Sequence, residues 1–365
     1  MTAPSGLRVV VRELAESPAE AIERGFALEP MAPPDPEALG ADDVLIEIKS
    51  ASVGWVDLIM ASGQYQHLLK PPYTPGLEYV GVVRWVGAGA GDRVAIGDEV
   101  LVDGLLAGPR SLGAHQRWGG WASYGVAPAA AVHRIPVGLS FDQACNLLGS
   151  YETAYHALIA RGRVQAGETV LIHGASGATG LAAVHLCKLL GARVIATGRS
   201  KAKLDAVAAE GADHVIALGG EISMRDQVKA LTGGKGVDVV HDGVGGDISL
   251  ESLRCVRFGA RYLIVGWAAT PTVAHGKGQR GAPNANVLPT NLIMMKGLDV
   301  LGCPAAISVV HDPSIRAPRF AQVMQWAAEG KIRPRVSHVF GLAEYAEAMR
   351  ARWHGDVIGG CVVRP

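Results

Sequence analysis

The sequence predicts an α/β fold in which a doubly wound parallel sheet is accompanied by a second, β-rich domain. Two observations predict it. From Leu139 onward short apolar strands alternate with helical segments, the rhythm of a parallel sheet with helices on both faces. Before that point short strands follow one another closely with turn residues between them, as in a small distorted all-β domain.

In chain order, Leu7 to Leu14 and Val44 to Ile48 read as strands, the second alternating apolar and polar residues. Between them the proline-bearing stretch Met31 to Pro36 is a loop. A short helix is expected around Val56 to Met60, and the prolines of Lys70 to Gly76 form a rigid turn leading into a strand. Gly97-Asp98 turns the chain between further short strands. Ser140 opens a helix reaching about Leu148, with Gln143 completing a capping box. Strands follow at Val170 to Ile172, Arg193 to Thr197, Val215 to Leu218, Val237 to His241, Arg261 to Val265 and Leu298 to Leu301. Helices are expected at Ile248 to Arg257, Ala317 to Glu329 and Leu342 to Trp353, the last lying between strands, while Ala269 to Thr290 reads as a loop.

Thr169 to Lys203 carries the clearest chemistry. After the buried strand comes Ala175-Ser176-Gly177-Ala178-Thr179-Gly180, a G-x-G-x-x-G turn with alanine in the first glycine position. An amphipathic helix with Leu181, Val184, Leu186, Leu189 and Leu190 follows, and Gly191 ends it. A diphosphate needs backbone N–H groups without intervening side chains and gains from the positive end of a helix. Strand, turn, helix and second strand are all present, so the turn predicts dinucleotide binding.

The end of the second strand indicates which dinucleotide. An NAD site carries Asp or Glu about 20 residues after the glycines to bond the ribose hydroxyls. No acidic residue stands between Glu168 and Asp205; the strand runs out into Gly198-Arg199-Ser200-Lys201-Ala202-Lys203. Arg199 and Lys203 offer cations and Ser200 a hydroxyl, a set suited to a 2′-phosphate, and NADPH is the expected cofactor.

Composition excludes several other classes. Lys plus Arg and Asp plus Glu number 34 each, so the formal net charge is zero, which argues against nucleic-acid or membrane-surface partners. No run of 18 or more apolar residues is present, and the first residues reach Arg8, Arg12 and Glu13 without a signal pattern, so a soluble cytoplasmic protein is expected. The five cysteines are scattered without a C-x-x-C pair, and neither a disulfide framework nor a structural zinc site is indicated.

Separated motifs then coincide with a known family. They are Pro75-Gly76-Leu77-Glu78-Tyr79-Val80-Gly81, Gly97-Asp98-Glu99-Val100, Gly119-Gly120-Trp121-Ala122-Ser123-Tyr124 and Thr153-Ala154-Tyr155. The glycine turn, Gly236 to Gly246, Gly259 to Gly266, Asn291-Leu292 and Gly359-Gly360 continue them in order. The chain resembles the zinc-independent medium-chain dehydrogenase/reductases, specifically the NADPH:quinone oxidoreductase branch. The resemblance implies a GroES-like catalytic domain from residues 1–137 with 304–365 and a Rossmann domain from 138–303, with nicotinamide and substrate in the cleft between them. It also implies a homodimer formed through the last strand of the dinucleotide sheet. Thr153 would lie near the nicotinamide amide, Gly243, Val244, Gly245, Gly266, Trp267 and Ala268 along the cofactor, and Asn291 as a further cofactor contact.

Departures from the family pattern narrow the chemistry. Zinc-dependent relatives carry a cysteine near Gly54 to Val56 and Gly-His-Glu where this chain has Gly76-Leu77-Glu78. Glycine and leucine offer no zinc ligand, so no metal is expected. In the quinone reductase branch an Asn often begins the segment Gly54-Trp55-Val56-Asp57, and Gly54 replaces it. Residues 112–118 and 270–286 look like local insertions.

Without a metal the expected reaction is hydride transfer to a quinone or an α,β-unsaturated carbonyl compound, helped by one hydrogen-bond donor at the carbonyl oxygen. Tyr65 is the first candidate donor, matching a pocket tyrosine of some family members, with Tyr151 and Tyr155 behind it. Protonation from water needs no dedicated acid. Asp57 is expected to fix a helix start, and His173 to be core-facing or loop-bonded. His241 and Asp242, adjacent on a strand, are not expected to pair. Two other readings stay open: a zinc-free reductase of C=O bonds, and a non-catalytic NADPH-binding sensor or structural protein.

Overall fold

The computed structural model describes residues 6–65, 69–111, 113–269 and 286–365. Its strands, in chain order, are β1 (Gly6–Val11), β2 (Phe26–Met31), β3 (Asp43–Ser52), β4 (Tyr79–Val86), β5 (Glu99–Val102), β6 (Tyr124–Pro128) and β7 (Val132–Arg134). They continue as β8 (Thr169–Ile172), β9 (Arg193–Gly198), β10 (His214–Ala217), β11 (Val237–Asp242), β12 (Val256–Ile264), β13 (Asp299–Gly302), β14 (Val336–Gly341) and β15 (Gly360–Arg364). Two compact units result, one from residues 6–149 with 333–365 and the other from 150–269 with 286–332.

The first unit is built on a seven-stranded sheet in the order β14-β15-β3-β4-β5-β7, with β6 also pairing β3. Long β3 serves as its spine, antiparallel to β4, β6 and β15. Its core gathers Val9, Ile46, Tyr79, Val100 and Val363 around Trp121, whose indole N–H donates to the Ser52 carbonyl at 2.9 Å. Phe26 packs on Trp121 with ring centroids 6.0 Å apart. Strand β2 was not expected from the sequence, and it carries Pro30. Proline is tolerated there because β2 pairs only with β1, in a two-stranded ribbon that leaves one edge unpaired.

The second unit holds a six-stranded, wholly parallel sheet in the order β10-β9-β8-β11-β12-β13. Three of the four residues of β8 are fully buried, as expected of a strand covered on both faces. Leu171, Ile195, Val240 and Tyr262 anchor the core on this sheet. The order reverses direction beside β8, between β8 and β11, which is the topological switch point where ligands bind in such sheets.

Three sequence-derived boundaries move. The helix opened by Ser140 keeps its capping box but stops at Ala144 and resumes as Leu148–Tyr155. The Asn146 side chain donates at 2.9 Å to the Asp142 carbonyl, the acceptor that the Asn146 backbone N–H would need to continue the helix. The helix expected at Ile248 to Arg257 is Asp247–Ser252, and β12 begins at Val256 because that residue pairs with Val237. The domain division shifts as well: residues 138–149 lie with the first unit and 304–332 with the second. Asp142 is bound there by Ser50 and Arg364, while Arg316 and Arg319 are bound to Glu152.

Candidate dinucleotide site

The site grows from the carboxyl ends of β8, β9, β11 and β12. After β8 the left-handed conformation that closes the turn falls on Gly174, at φ +61°, and not on Ala175 in the nominal first glycine position. Ala175 is therefore free to be alanine, and it is fully buried. Gly177 precedes the helix Ala178–Leu189 and donates to the Gly174 carbonyl at 3.0 Å. The N–H groups of Ala178, Thr179 and Gly180 open that helix and lack intrahelical acceptors. A side chain on Gly180 would bring its Cβ within 2.4 Å of the Gly174 carbonyl oxygen, so this position must stay bare for helix and turn to pack. Residues Ser176 to Thr179 are half-buried, presenting backbone toward solvent where a diphosphate would sit.

At the end of β9, Ser200 caps the helix Lys201–Ala209, its Oγ accepting from the Lys203 N–H at 3.5 Å. Arg199 is exposed and makes no ion pair among the described residues. Lys201, which lies between the two proposed cations, reaches Asp205 at 3.4 Å, one turn on. The arrangement offers a guanidinium, a hydroxyl and Lys203 beside the strand end, with no carboxylate in the position that reads a free ribose hydroxyl.

The loops after β11 and β12 are joined to each other. Ala268 N–H donates to the Gly243 carbonyl at 3.3 Å, and Ala269 N–H to that of Val244 at 2.8 Å. A Cβ at Gly266 would stand 3.2 Å from the Gly243 oxygen, and one at Gly245 3.1 Å from the Trp267 Cα. Trp267 is half-exposed above this pair of loops, and Asn291 is exposed in the first turn of the helix Thr290–Lys296. Thus the structure brings together Ser176 to Gly180, Gly198 to Lys203, and Gly243 to Gly245 with Gly266 to Ala268, on one end of one sheet. The open space at Gly243 and the bare turn at Gly177 are a cradle that fits a dinucleotide.

Under the site lies a buried polar layer. His173 shares hydrogen bonds with Thr197 Oγ1 at 2.8 Å and Ser252 Oγ at 2.6 Å, a core-facing histidine, the first of the two placements the sequence suggests. Asp242 does not pair with His241; its oxygens go to Val244, Gly245, Ser249 and Tyr262. Among the described residues none hydrogen-bonds either ring nitrogen of His241. Burial pushes His173 and His241 down to about 4, with Asp242 opposing in both cases. Burial, then Arg319 and Arg161, does the same to His156.

These three histidines are expected to make the second unit acid-labile. Their folded pKa lies below the unfolded value near 6.5, so between the two the unfolded chain binds the extra protons. Stability is fully present above pH ~6.5 and falls toward pH ~4, with a slope approaching about 1.4 kcal/mol per pH unit for each histidine. Calorimetry across this range, with hydrogen exchange of the β8 and β11 amides as the local reporter, should show the second unit weakening steeply. A flat profile would refute the assignment of three neutral buried imidazoles.

Of the three tyrosines, Tyr151 is corrected. It is 1% exposed, and its hydroxyl bonds His185 Nδ1 at 2.7 Å, with His185 Nε2 in turn 3.0 Å from Glu210. The hydroxyl is engaged inside the second unit and is not presented to a substrate. Tyr155 is half-buried with its ring against Trp326, centroids 5.9 Å apart. Thr153 is half-buried on the same helix. Tyr65 belongs to the first unit, in an apolar cluster with Met60, Leu77, Val56 and Ile59.

Asp57 fixes backbone, as expected. Its carboxylate accepts from Gly54 N–H at 2.9 Å and Gly76 N–H at 3.0 Å, pinning the start of the helix Trp55–Ala61 to the proline turn. Burial raises its pKa to about 6 against these bonds. Residues 270–285 and Leu112, parts of the two expected insertions, lie outside the described residues; His115 of the first insertion bonds Asp43 at 2.7 Å.

Sequence reasoning missed Gly174 and Asp242. Gly174 stands one position ahead of the motif window, and Asp242 opens Asp-Gly-Val-Gly-Gly, an aspartate-before-glycine turn signature that could have found it.

A parallel sheet with a bare glycine turn at its switch point, together with a β-rich companion unit, is the architecture of many NAD(P)-dependent oxidoreductases. Residues 40–137 match the family described as alcohol dehydrogenase GroES-like domain, and residues 178–327 the family described as zinc-binding dehydrogenase. The chain belongs to the medium-chain dehydrogenase/reductase superfamily, and its relatives include quinone oxidoreductases. It is 32% identical to the quinone oxidoreductase-like protein 2 homolog of Nematostella vectensis, over 86% of this chain and 79% of that protein. Human quinone oxidoreductase is 28% identical over 88% of both chains. A mycobacterial protein solved in complex with NADPH superposes with a TM-score of 0.78 at 24% identity, covering 99% of this chain and all of that one.

One matched description implies zinc. Gly54 and Leu77 carry no donor atom, and among the described residues no three His, Cys, Asp or Glu side chains converge as a metal site requires. These residues do not fit a zinc ion. Among the described residues no helix is long and apolar enough to cross a membrane.

Proposed function

We propose that this protein is an NADPH-dependent reductase of quinones or α,β-unsaturated carbonyl compounds. The observation that carries the choice of cofactor is exposed Arg199 beyond β9, at a strand end with no acidic residue. Identity of about 30% to quinone oxidoreductase-like relatives supports the substrate class.

Each residue has a defined task in this reading. The N–H groups of Ala178, Thr179 and Gly180 receive the diphosphate at the positive end of their helix. Arg199 and Lys203 neutralise the 2′-phosphate, and the Ser200 O–H remains a donor toward it while Oγ caps the helix. Gly243 to Gly245 and Gly266 to Ala268 line the cofactor, with Thr153 and Asn291 as further contacts. Bound NADPH supplies hydride to an electron-poor carbon. Tyr65 donates a hydrogen bond to the substrate carbonyl oxygen, which gains negative charge as hydride arrives, and water delivers the proton. The apolar neighbours of Tyr65 suit a flat, weakly polar substrate. Pairing of two copies through edge strand β13 is supported by exposed Met294 and Met295 on the helix preceding it.

The test is NADPH and NADH oxidation against a panel of quinones, enones and simple ketones. Turnover of quinones or enones with NADPH preferred is expected. Turnover of ketones alone would favour C=O reduction, and tight NADPH binding without turnover on any substrate would favour a sensor or structural protein.

A further inference from the structure

We propose that Asp242 is a positioning residue for the cofactor, the post on which the loops after β11 and β12 are hung. The proposal rests on the dinucleotide reading of the site.

Asp242 is the last residue of β11 and is fully buried. Its Oδ1 accepts from the N–H groups of Val244 at 2.8 Å and Gly245 at 2.9 Å. Its Oδ2 accepts from the Tyr262 O–H at 2.6 Å and from the Ser249 O–H. The backbone carbonyl of the same residue accepts from Val265 N–H at 2.8 Å and Gly266 N–H at 3.2 Å. One residue therefore holds both loops: the first through its side chain, the second through its main chain.

Each carboxylate oxygen takes two donors, which saturates a buried carboxylate without a cation. Among the described residues Asp242 forms no ion pair with Lys or Arg. Burial alone would raise this carboxyl, but nearby His173 and the bonds from Ser249, Tyr262 and Gly245 hold it below the ordinary carboxylate range. A buried charge is costly when an apolar residue could fill the space. Here the charge aims the consecutive N–H groups of Val244 and Gly245 inward, in a turn where Gly245 and Gly246 stand at φ +76° and +70°. That curl leaves the outer face of Gly243 open, and there the cofactor would lie. The hydroxyls of Ser249 and Tyr262 both bond Asp242, with Tyr262 also in hydrogen-bond contact with Ser249 and Ser252, so they orient the carboxylate and stand one step further from the cofactor.

The experiment compares wild type with Asp242→Asn, and with Ser249→Ala and Tyr262→Phe, which remove hydroxyls that bond no loop backbone and guard against a misfolded Asn variant. Two readouts are taken: amide hydrogen exchange at Val244 and Gly245 without cofactor, and NADPH binding with KM and kcat. Expected for Asp242→Asn is exchange at those two amides faster by tenfold or more. NADPH Kd and KM should rise about tenfold, while the quinone KM stays within twofold and the β8 amides exchange as in wild type. The orienter variants should shift the same readouts by smaller factors, and Asp242→Glu should not restore them, because its longer side chain cannot present one carboxylate oxygen to both N–H groups. Unchanged loop exchange and unchanged NADPH Kd in every variant would overturn the proposal. Wild type that protects the two amides yet binds neither NADPH nor NADH would instead overturn the dinucleotide reading, leaving the loop post intact as structure.

Discussion

Replacing Arg199 and Lys203 together by alanine is expected to weaken NADPH binding by about 10- to 100-fold and leave NADH binding within about twofold. The magnitude follows from hydrogen bonds to charged groups, worth about 1.5–3 kcal/mol, with a further discount because Arg199 is exposed and screened by salt. The selectivity follows from geometry, since these residues follow β9 at the ribose end of the site and leave the diphosphate turn untouched. NADPH and NADH titrations of the double variant at two salt concentrations would settle the matter. Equal losses for both cofactors would show that the basic pair acts on the fold of the strand end and not on a 2′-phosphate.

Glu152→Gln is expected to destabilise the second unit by about 3–5 kcal/mol, the cost of breaking a buried ion pair. Glu152 accepts from Arg316 Nη2 at 2.9 Å and Arg319 Nε at 2.8 Å, and Glu152 and Arg319 are each 5% exposed or less. Glutamine keeps the shape but leaves the Arg319 charge buried with its carboxylate gone. Removing the stranded charge should recover much of the loss, so Glu152→Met combined with Arg319→Met should be closer to wild type than Glu152→Gln alone. Calorimetry on all three proteins reads this directly. A loss below about 1 kcal/mol in Glu152→Gln would mean that water reaches the cluster and screens it, as for a surface pair.

Local patterns carried most of the architecture. The strand–turn–helix–strand run from Thr169 to Gly198 was readable because its signals sit within one supersecondary unit: a strand buried on both faces, a bare turn, then an amphipathic helix. The Ser140–Gln143 box was readable for the same reason, since both partners lie within three residues. What the pattern could not supply was where side chains finish. The Tyr151 hydroxyl ends on His185, 34 positions away, and Asp242 takes Tyr262, 20 positions away; neither pairing has a local signature. Gly174 was passed over because the motif was aligned on its spacing, whereas the residue with positive φ is identified only by the path of the backbone.

The pairing of β15 with β3 has a consequence for the order in which the chain acquires structure. Ser52 is registered against Val362, so the spine of the first unit's sheet lacks one neighbour until residues 360–364 have been synthesised. The second unit's sheet draws all six strands from residues 169–302, an uninterrupted stretch of sequence. On a ribosome that delivers about 5–20 residues per second, the dinucleotide sheet can close while the Ala51–Ser52 end of β3 still waits for its partner. The sheet whose spine is made first is thus completed after the one made in between, and the unpaired end of β3 is exposed for the duration of that delay.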